Sequence, residues 1–190
     1  VSGVRIRAEL VPGADRQRMI GDLDRMAAMI EQMLAYAHAQ AQPARLQSVD
    51  LDSLVAGIAA DRVSLGQDVA FVPARRDTRL QADPTTLHRA IDNLLDNALR
   101  FAGSARLSIE AHADRVDLHI DDAGPGIPED QLAGITTPFK RLESSRSRAT
   151  GGAGLGLAIA ERIAEAHGGR LLLANRHPKG LRATLSLPLR

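Results

Sequence analysis

The sequence predicts an α+β protein: a two-layer α/β sandwich with helices covering one face of an antiparallel sheet, preceded by a helical hairpin from a dimeric four-helix bundle. Three observations carry this. An apolar seam at heptad spacing runs from Met19 to Ala37, as in a helix that packs against partner helices. Asp83 to Phe101 repeats apolar residues at helical spacing. Leu107, Ile109 and Ala111, then Val116, Leu118 and Ile120, instead alternate with polar residues, the period of half-buried strands. Helices and hairpins in this mixture pack as two layers.

The N-terminal element comes first. Met19, Leu23, Met26, Ile30, Met33 and Ala37 form the seam, with Ile20, Ala27 and Leu34 beside it. A helix from Asp15 to His38 would run about 36 Å, too long and one-sided to stand alone. Pro12-Gly13 reads as a tight turn, so Val4 to Leu10 is expected to end a preceding antiparallel helix. Two such hairpins make a four-helix bundle by dimerising, and packing of the seam on its own globular domain is the alternative. Ala39 to Arg45, with Pro43, breaks the heptad. The domain boundary is placed there, with 1–42 a partial helical hairpin and 43–190 a second domain.

In the second domain, Asp52 to Asp61 is expected to be a short helix, and Val69–Val72 and Thr78–Ala82 short strands. Asp83 reads as the N-cap of the next helix and Pro84 as its first-turn proline; Leu87, Ile91, Leu94, Leu95 and Ala98 form its buried stripe. The two alternating runs make a hairpin across Ala113-Asp114. A helix from about Leu155 to His167 precedes a last strand pair, Arg170–Arg176 and Leu181–Leu189, joined by His177-Pro178-Lys179-Gly180.

Composition excludes several classes. With 24 basic and 23 acidic residues the net charge is +1, so no global field recruits nucleic acid or an anionic membrane. The absence of cysteine removes disulfides and thiolate metal sites and is compatible with a reducing compartment. Six histidines lack metal-ligand spacing. No run approaches the roughly 20 apolar residues of a membrane span, and Val1 to Leu10 is not a signal peptide. A start at Val1 is expected of a fragment or processed chain.

Chemistry concentrates in three stretches. Asn93 and Asn97 lie one turn apart, and with Arg100 they fall on a face beside the apolar stripe. Asparagine is a poor helix-interior residue, so the pair suggests a role; solvated or back-bonded amides are the alternative. Arg100 either pairs with Asp96 or reaches a phosphate. Phe101 lies against a base or simply packs.

By strand parity Asp122 continues Val116, Leu118 and Ile120 onto the inward face. A carboxylate there needs a donor; the exocyclic amine of adenine would serve, and a guanine would present an acceptor instead. An Asp capping its own turn is the alternative. Gly124 and Gly126 let backbone approach a planar base.

Ile135 to Gly154 is a basic, Ser- and Gly-rich loop with Lys140, Arg141, Arg146 and Arg148 against Glu143. It reads as a lid able to close on phosphates, or as a solvated linker. Phe139 is expected to anchor it, burying its ring when the loop folds back. Gly152, Gly154, Leu155 and Gly156 run into a helix whose N-terminus presents backbone amides. His167, before Gly168-Gly169, reads as a C-terminal residue favourable to the helix dipole; the other histidines read as surface or packing residues.

Taken in order, these motifs resemble the sensor histidine kinases of two-component systems. Asn93–Ala98 (NLLDNA) is similar to their N box, Asp122–Gly126 to the first glycine box, Thr137–Leu142 to the F box and Gly152–Leu157 to the second glycine box. The resemblance covers most of the chain and implies the GHKL, Bergerat-type ATP-binding fold, with the N-terminal hairpin as the back half of the dimerisation and phosphotransfer domain.

It also implies roles. Asn97 would hold Mg²⁺ through its amide oxygen, with Asn93 near the phosphates. Arg100, Lys140, Arg141, Arg146 and Arg148 would contact phosphate, and Asp122 would accept from the adenine amine of ATP. The related ATPases gyrase B and MutL carry a glutamate base where Asn93 stands, and an amide cannot activate water. Transfer to a side chain is therefore expected over hydrolysis; a non-catalytic nucleotide-binding module and a related ATPase are the alternatives. The resemblance implies a homodimer, a cognate response regulator as partner, and a cytoplasmic location below a membrane segment absent from this chain. The family's phosphoacceptor stretch, similar to H-E-x-x-T-P-L, does not occur here. The chain as given is expected to bind Mg-ATP without phosphorylating itself.

Overall fold

The computed structural model describes residues 16, 19–24, 26, 27, 30, 33, 34, 45–140 and 154–189. Every described residue from 16 to 34 is helical. Met19, Met26, Ile30, Met33 and Leu34 are between 39% and 60% exposed, so the described chain leaves most of the seam uncovered. The expected first arm, its turn and the boundary at 42/43 lie outside the described residues.

The sandwich begins with β1 (Gln47–Asp50), from which Asp50 caps α1 (Leu51–Ser64) by accepting from Ser53 N. After β2 (Asp68–Val72), β3 (Arg79–Ala82) returns to pair antiparallel with β1 as a two-stranded sheet. Next comes α2 (Pro84–Ala102), then β4 (Ser104–Ala111) and β5 (Arg115–Asp121) as a hairpin. A short α3 (Glu129–Leu132), α4 (Gly156–Ala166) and the hairpin of β6 (Arg170–Asn175) and β7 (Leu181–Pro188) complete the chain.

The main sheet has five strands in the order β2-β4-β5-β7-β6. Its pairings are antiparallel except β2 with β4, which run parallel. That corrects the expected all-antiparallel sheet: β3 and α2 intervene between the two strands, and a long crossover lets them align.

Alternation decides which face is covered. Leu107, Ile109, Val116, Leu118, Ile120, Leu185 and Leu187 are buried, as are Leu87, Ile91, Leu94 and Leu95 of α2 and Ile159 and Ile163 of α4. Each such side chain contributes about 1.5–3 kcal/mol relative to exposure. The opposite face carries Arg106 and Glu110 exposed, and Asp117 and His119 partly buried, so the two-layer reading holds. The sequence reading missed β1 and α3. In β1 only Val49 is buried, and one residue sets no period.

Candidate functional site

The site is organised by α2. Asp83 accepts from Thr85 N and Thr86 N at its start, Pro84 occupies the first turn, and Gly103 ends it in the left-handed region at φ 74°. These stops fix which residues of the helix face the sheet and which stand beside it. Asn93 and Asn97 are half-buried on that bordering face. Asn93 Nδ2 donates to Arg89 O at 2.9 Å, the back-bonded geometry, while a Cβ placed on Gly156 would lie 3.4 Å from its Oδ1. The first residue of α4 therefore sits against the first amide. The side chain of Asn97 makes no hydrogen bond to a described residue.

Arg100 is exposed, with its guanidinium carbon 6.0 Å from the Phe101 ring centroid, a cation–π arrangement. Its alternative partner is taken: Asp96 Oδ1 accepts from Arg62 Nη1 of α1 at 2.7 Å. Phe101 is 36% exposed.

Asp122 is 7% exposed, as parity requires. Its Oδ1 accepts from Gly124 N at 2.8 Å and from Leu181 N at 3.1 Å, so it does cap its own turn. None of the described residues donates to Oδ2. A Cβ on Gly124 would stand 3.0 Å from Asp122 Oδ1 and 3.3 Å from Phe101 O, which places this glycine between the carboxylate and the end of α2. Gly126 adopts φ 75°.

Gly154 has φ 73° and accepts from Phe139 N at 3.0 Å, and Leu155 is buried. No side chain caps the start of α4, which leaves its first amides to other acceptors. Phe139 is 52% exposed with φ 65°, a strained backbone for a bulky residue; the loop expected to fold back over it lies outside the described residues. Lys140 is exposed, with Nζ lying over Gly134. Arg141, Arg146, Arg148 and Gly152 lie outside the described residues.

His167 corrects the dipole reading. Its ring is 6% exposed; Nε2 lies 2.9 Å from Asp83 N, and Nδ1 lies 2.7 Å from Ile163 O. An amide can only donate and a carbonyl can only accept, so the ring is the neutral Nδ1–H tautomer. It ties the end of α4 to the cap of α2.

Several supporting residues were not found from sequence. Asp121, 4% exposed, is forked by Arg182 at 2.7 and 2.6 Å, with Arg176 Nε at 3.4 Å. Burial pushes its carboxyl up, but Arg182 and then Arg176 outweigh this and hold it below the usual range. Arg176 also donates to Asp122 O at 2.8 Å. Asn175 Oδ1 accepts from Ile127 N at 2.8 Å and its Nδ2 donates to Ile127 O at 2.7 Å. The β6–β7 turn thus grips both sides of the Asp122 segment. The available signal was Arg182, which alternates outward on β7 opposite Asp121; reading it requires the β5–β7 register.

A sandwich whose α2 carries amides against one glycine segment, and whose C-terminal end abuts another beside an inward carboxylate, is the GHKL-type ATP-binding sandwich. Residues 82–190 match the family described as histidine kinase-, DNA gyrase B-, and HSP90-like ATPase, and the chain belongs to it. It is 39% identical over 189 residues to the sensor histidine kinase GtrS of Pseudomonas aeruginosa, covering 99% of this chain and 39% of that protein. It is 34% identical over 197 residues to the sensor protein RstB of Escherichia coli K12, covering 98% and 45% respectively. The chain therefore spans less than half the length of these relatives. Full-length ShkA in complex with AMPPNP shares the fold at a TM-score of 0.74 and 24% identity, over 95% of this chain and 40% of that one.

Proposed function

We propose that this chain is the nucleotide-binding catalytic part of a sensor histidine kinase, with residues 1–42 from the dimerisation and phosphotransfer hairpin and 43–190 the ATP-binding domain. The observation that carries the reading is Asp122: one oxygen is used by two backbone donors, and the other has none among the described residues. An acceptor-only edge of that kind fits the exocyclic amine of adenine. The likeness to ShkA, solved with AMPPNP, supports an adenine nucleotide.

Asn97, without a described partner, would hold Mg²⁺ through its amide oxygen, and Asn93 would stand beside the phosphates. Arg100 and Lys140 are the described cations for phosphate contact. The uncapped start of α4 supplies backbone amides to the same anion. Mg-ATP, when bound, supplies the transferable γ-phosphoryl; the chain's residues orient it and offset its charge, the main requirements of phosphoryl transfer. The amide at Asn93 cannot take a proton from water, which favours a side-chain acceptor. That acceptor would be a histidine on a bundle helix, and a response regulator would receive the phosphoryl group in turn.

No helix among the described residues is long and apolar enough to cross a membrane. In this reading the chain would be the cytoplasmic part of a sensor. The exposed seam from Met19 to Leu34 would be covered by a second copy. The experiment is calorimetry with Mg-ATP, followed by labelled ATP and a histidine-bearing bundle partner in trans. Binding with labelling of the partner is expected. Absence of nucleotide binding overturns the reading, and steady phosphate release without an acceptor reassigns the chain to hydrolysis.

A further inference from the structure

Between α1 and α2, one guanidinium spans two carboxylates. Arg62 Nη2 lies 2.6 Å from Asp92 Oδ1, and its Nη1 lies 2.7 Å from Asp96 Oδ1 and 3.4 Å from Gln67 Oε1. Its side chain is 16% exposed, against 31% for Asp92 and 54% for Asp96. Burial works against the charged arginine, but Asp92 and Asp96 outweigh it and hold the group above its ordinary value. Asp92 Oδ2 also lies 2.8 Å from His88 Nδ1.

The two acids immediately precede the two amides of the site. At about 100° per residue, Asp96 falls roughly 60° from Asn93 and 40° from Arg100 around the helix. An anion drawn to Asn93, Asn97 and Arg100 therefore approaches a face bordered by carboxylates, and the field of those carboxylates depends on Arg62.

We propose that Arg62 is a positioning residue for the polyphosphate: by offsetting Asp92 and Asp96 it lets the phosphates meet the amides and Arg100 rather than uncompensated anions. This rests on reading α2 as the phosphate-binding face. The same contacts also tie α1 to α2, and a tie alone makes a different prediction. A purely structural role costs every ligand equally. A charge role costs a ligand in proportion to its own charge, and salt screens that cost.

The test is calorimetry of Arg62→Met against wild type with adenosine, Mg-ADP and Mg-ATP, whose net charges are about 0, −1 and −2, at low and high salt. Adenosine affinity should change by less than about twofold, ADP should weaken about threefold and ATP about tenfold, and the differences should shrink as salt rises. Adding Asp92→Asn and Asp96→Asn to Arg62→Met should return ATP affinity to the wild-type value or beyond. An equal loss for all three ligands, or no recovery with the added substitutions, overturns the proposal. Should Arg62→Met not fold, Asp92→Asn/Asp96→Asn alone carries the test: ATP should tighten with adenosine unmoved, and unmoved ATP overturns it. If wild type binds ATP but these variants behave alike, this inference alone fails; if wild type binds no nucleotide, the site reading itself is wrong.

Discussion

Replacing Asp122 by asparagine isolates one atom of the site. Oδ1 accepts from both Gly124 N and Leu181 N, so the amide oxygen of the variant must occupy that position. Turning the amide over would set an NH₂ against two N–H donors. The new NH₂ is thereby locked where Oδ2 stood, and the ligand-facing edge changes from acceptor to donor. The fold should barely notice, since both backbone bonds persist; unfolding free energy should stay within about 1 kcal/mol of wild type. Adenine should notice strongly, because a charge-assisted hydrogen bond worth about 1.5–3 kcal/mol is replaced by two facing donors. ATP should weaken by about 10- to 150-fold or more. A 6-oxo purine presents a carbonyl at the same place, so inosine triphosphate should gain on ATP in the variant. Urea unfolding and competitive titration of the two nucleotides measure both halves. Unchanged ATP affinity, or equal losses for both purines in a folded variant, would refute the assignment of Oδ2 to the base.

Other consequences follow from the groups around that carboxylate. Asn175→Asp keeps the shape but cannot donate to Ile127 O; leaving that carbonyl facing an anion should cost about 1–3 kcal/mol in urea unfolding and weaken ATP as the segment loosens. Arg182→Met should destabilise by about 1–3 kcal/mol at pH 7, since Asp121 loses two charge-assisted hydrogen bonds but keeps Arg176 nearby, and the exposed half of Arg182 is screened by solvent. Asp121 is held below its ordinary value, so its stabilisation is full above the unfolded pKa of about 3.9 and lost as pH falls through the lower folded value. The gap between wild type and Arg182→Met should therefore be flat from neutrality to about pH 5 and close below about pH 4. A gap that stays constant in acid would mean that Asp121 is not the linked group. His167→Ala strips the partner from Asp83 N, leaves Ile163 O with only the backbone N–H of residue 167 and opens a cavity; about 2–4 kcal/mol lost in urea unfolding is expected, and less than 1 kcal/mol would show that water replaces the ring.

What the sequence revealed depended on how local the physics was. The start of α2 is readable because N-cap and first-turn proline act on adjacent residues. Asp122 was readable because parity carries a side chain's direction one residue past the end of a strand. Asp121 is more deeply buried than Asp122, yet parity sends it to the outer face, where an acid normally costs nothing. Arg182 and Arg176 cover it there, and both lie more than fifty residues away on elements whose pairing no local pattern specifies.

The same division separates the groups offered to a ligand from those that hold them. An amide pair inside a helix, or a carboxylate aimed at a core, violates a local preference, and the violation is visible before any contact is known. Arg62, Asn175 and His167 violate nothing. Arginine in the last turn of a helix, asparagine at a strand end and histidine before a glycine are ordinary residues in ordinary places, and each gains its importance from a partner brought in by closure of the fold. Sequence reading should therefore find ligand-facing groups more readily than their supports. Substitutions at the supports are then the sharper probe, because they alter the site through contacts that only the folded chain makes.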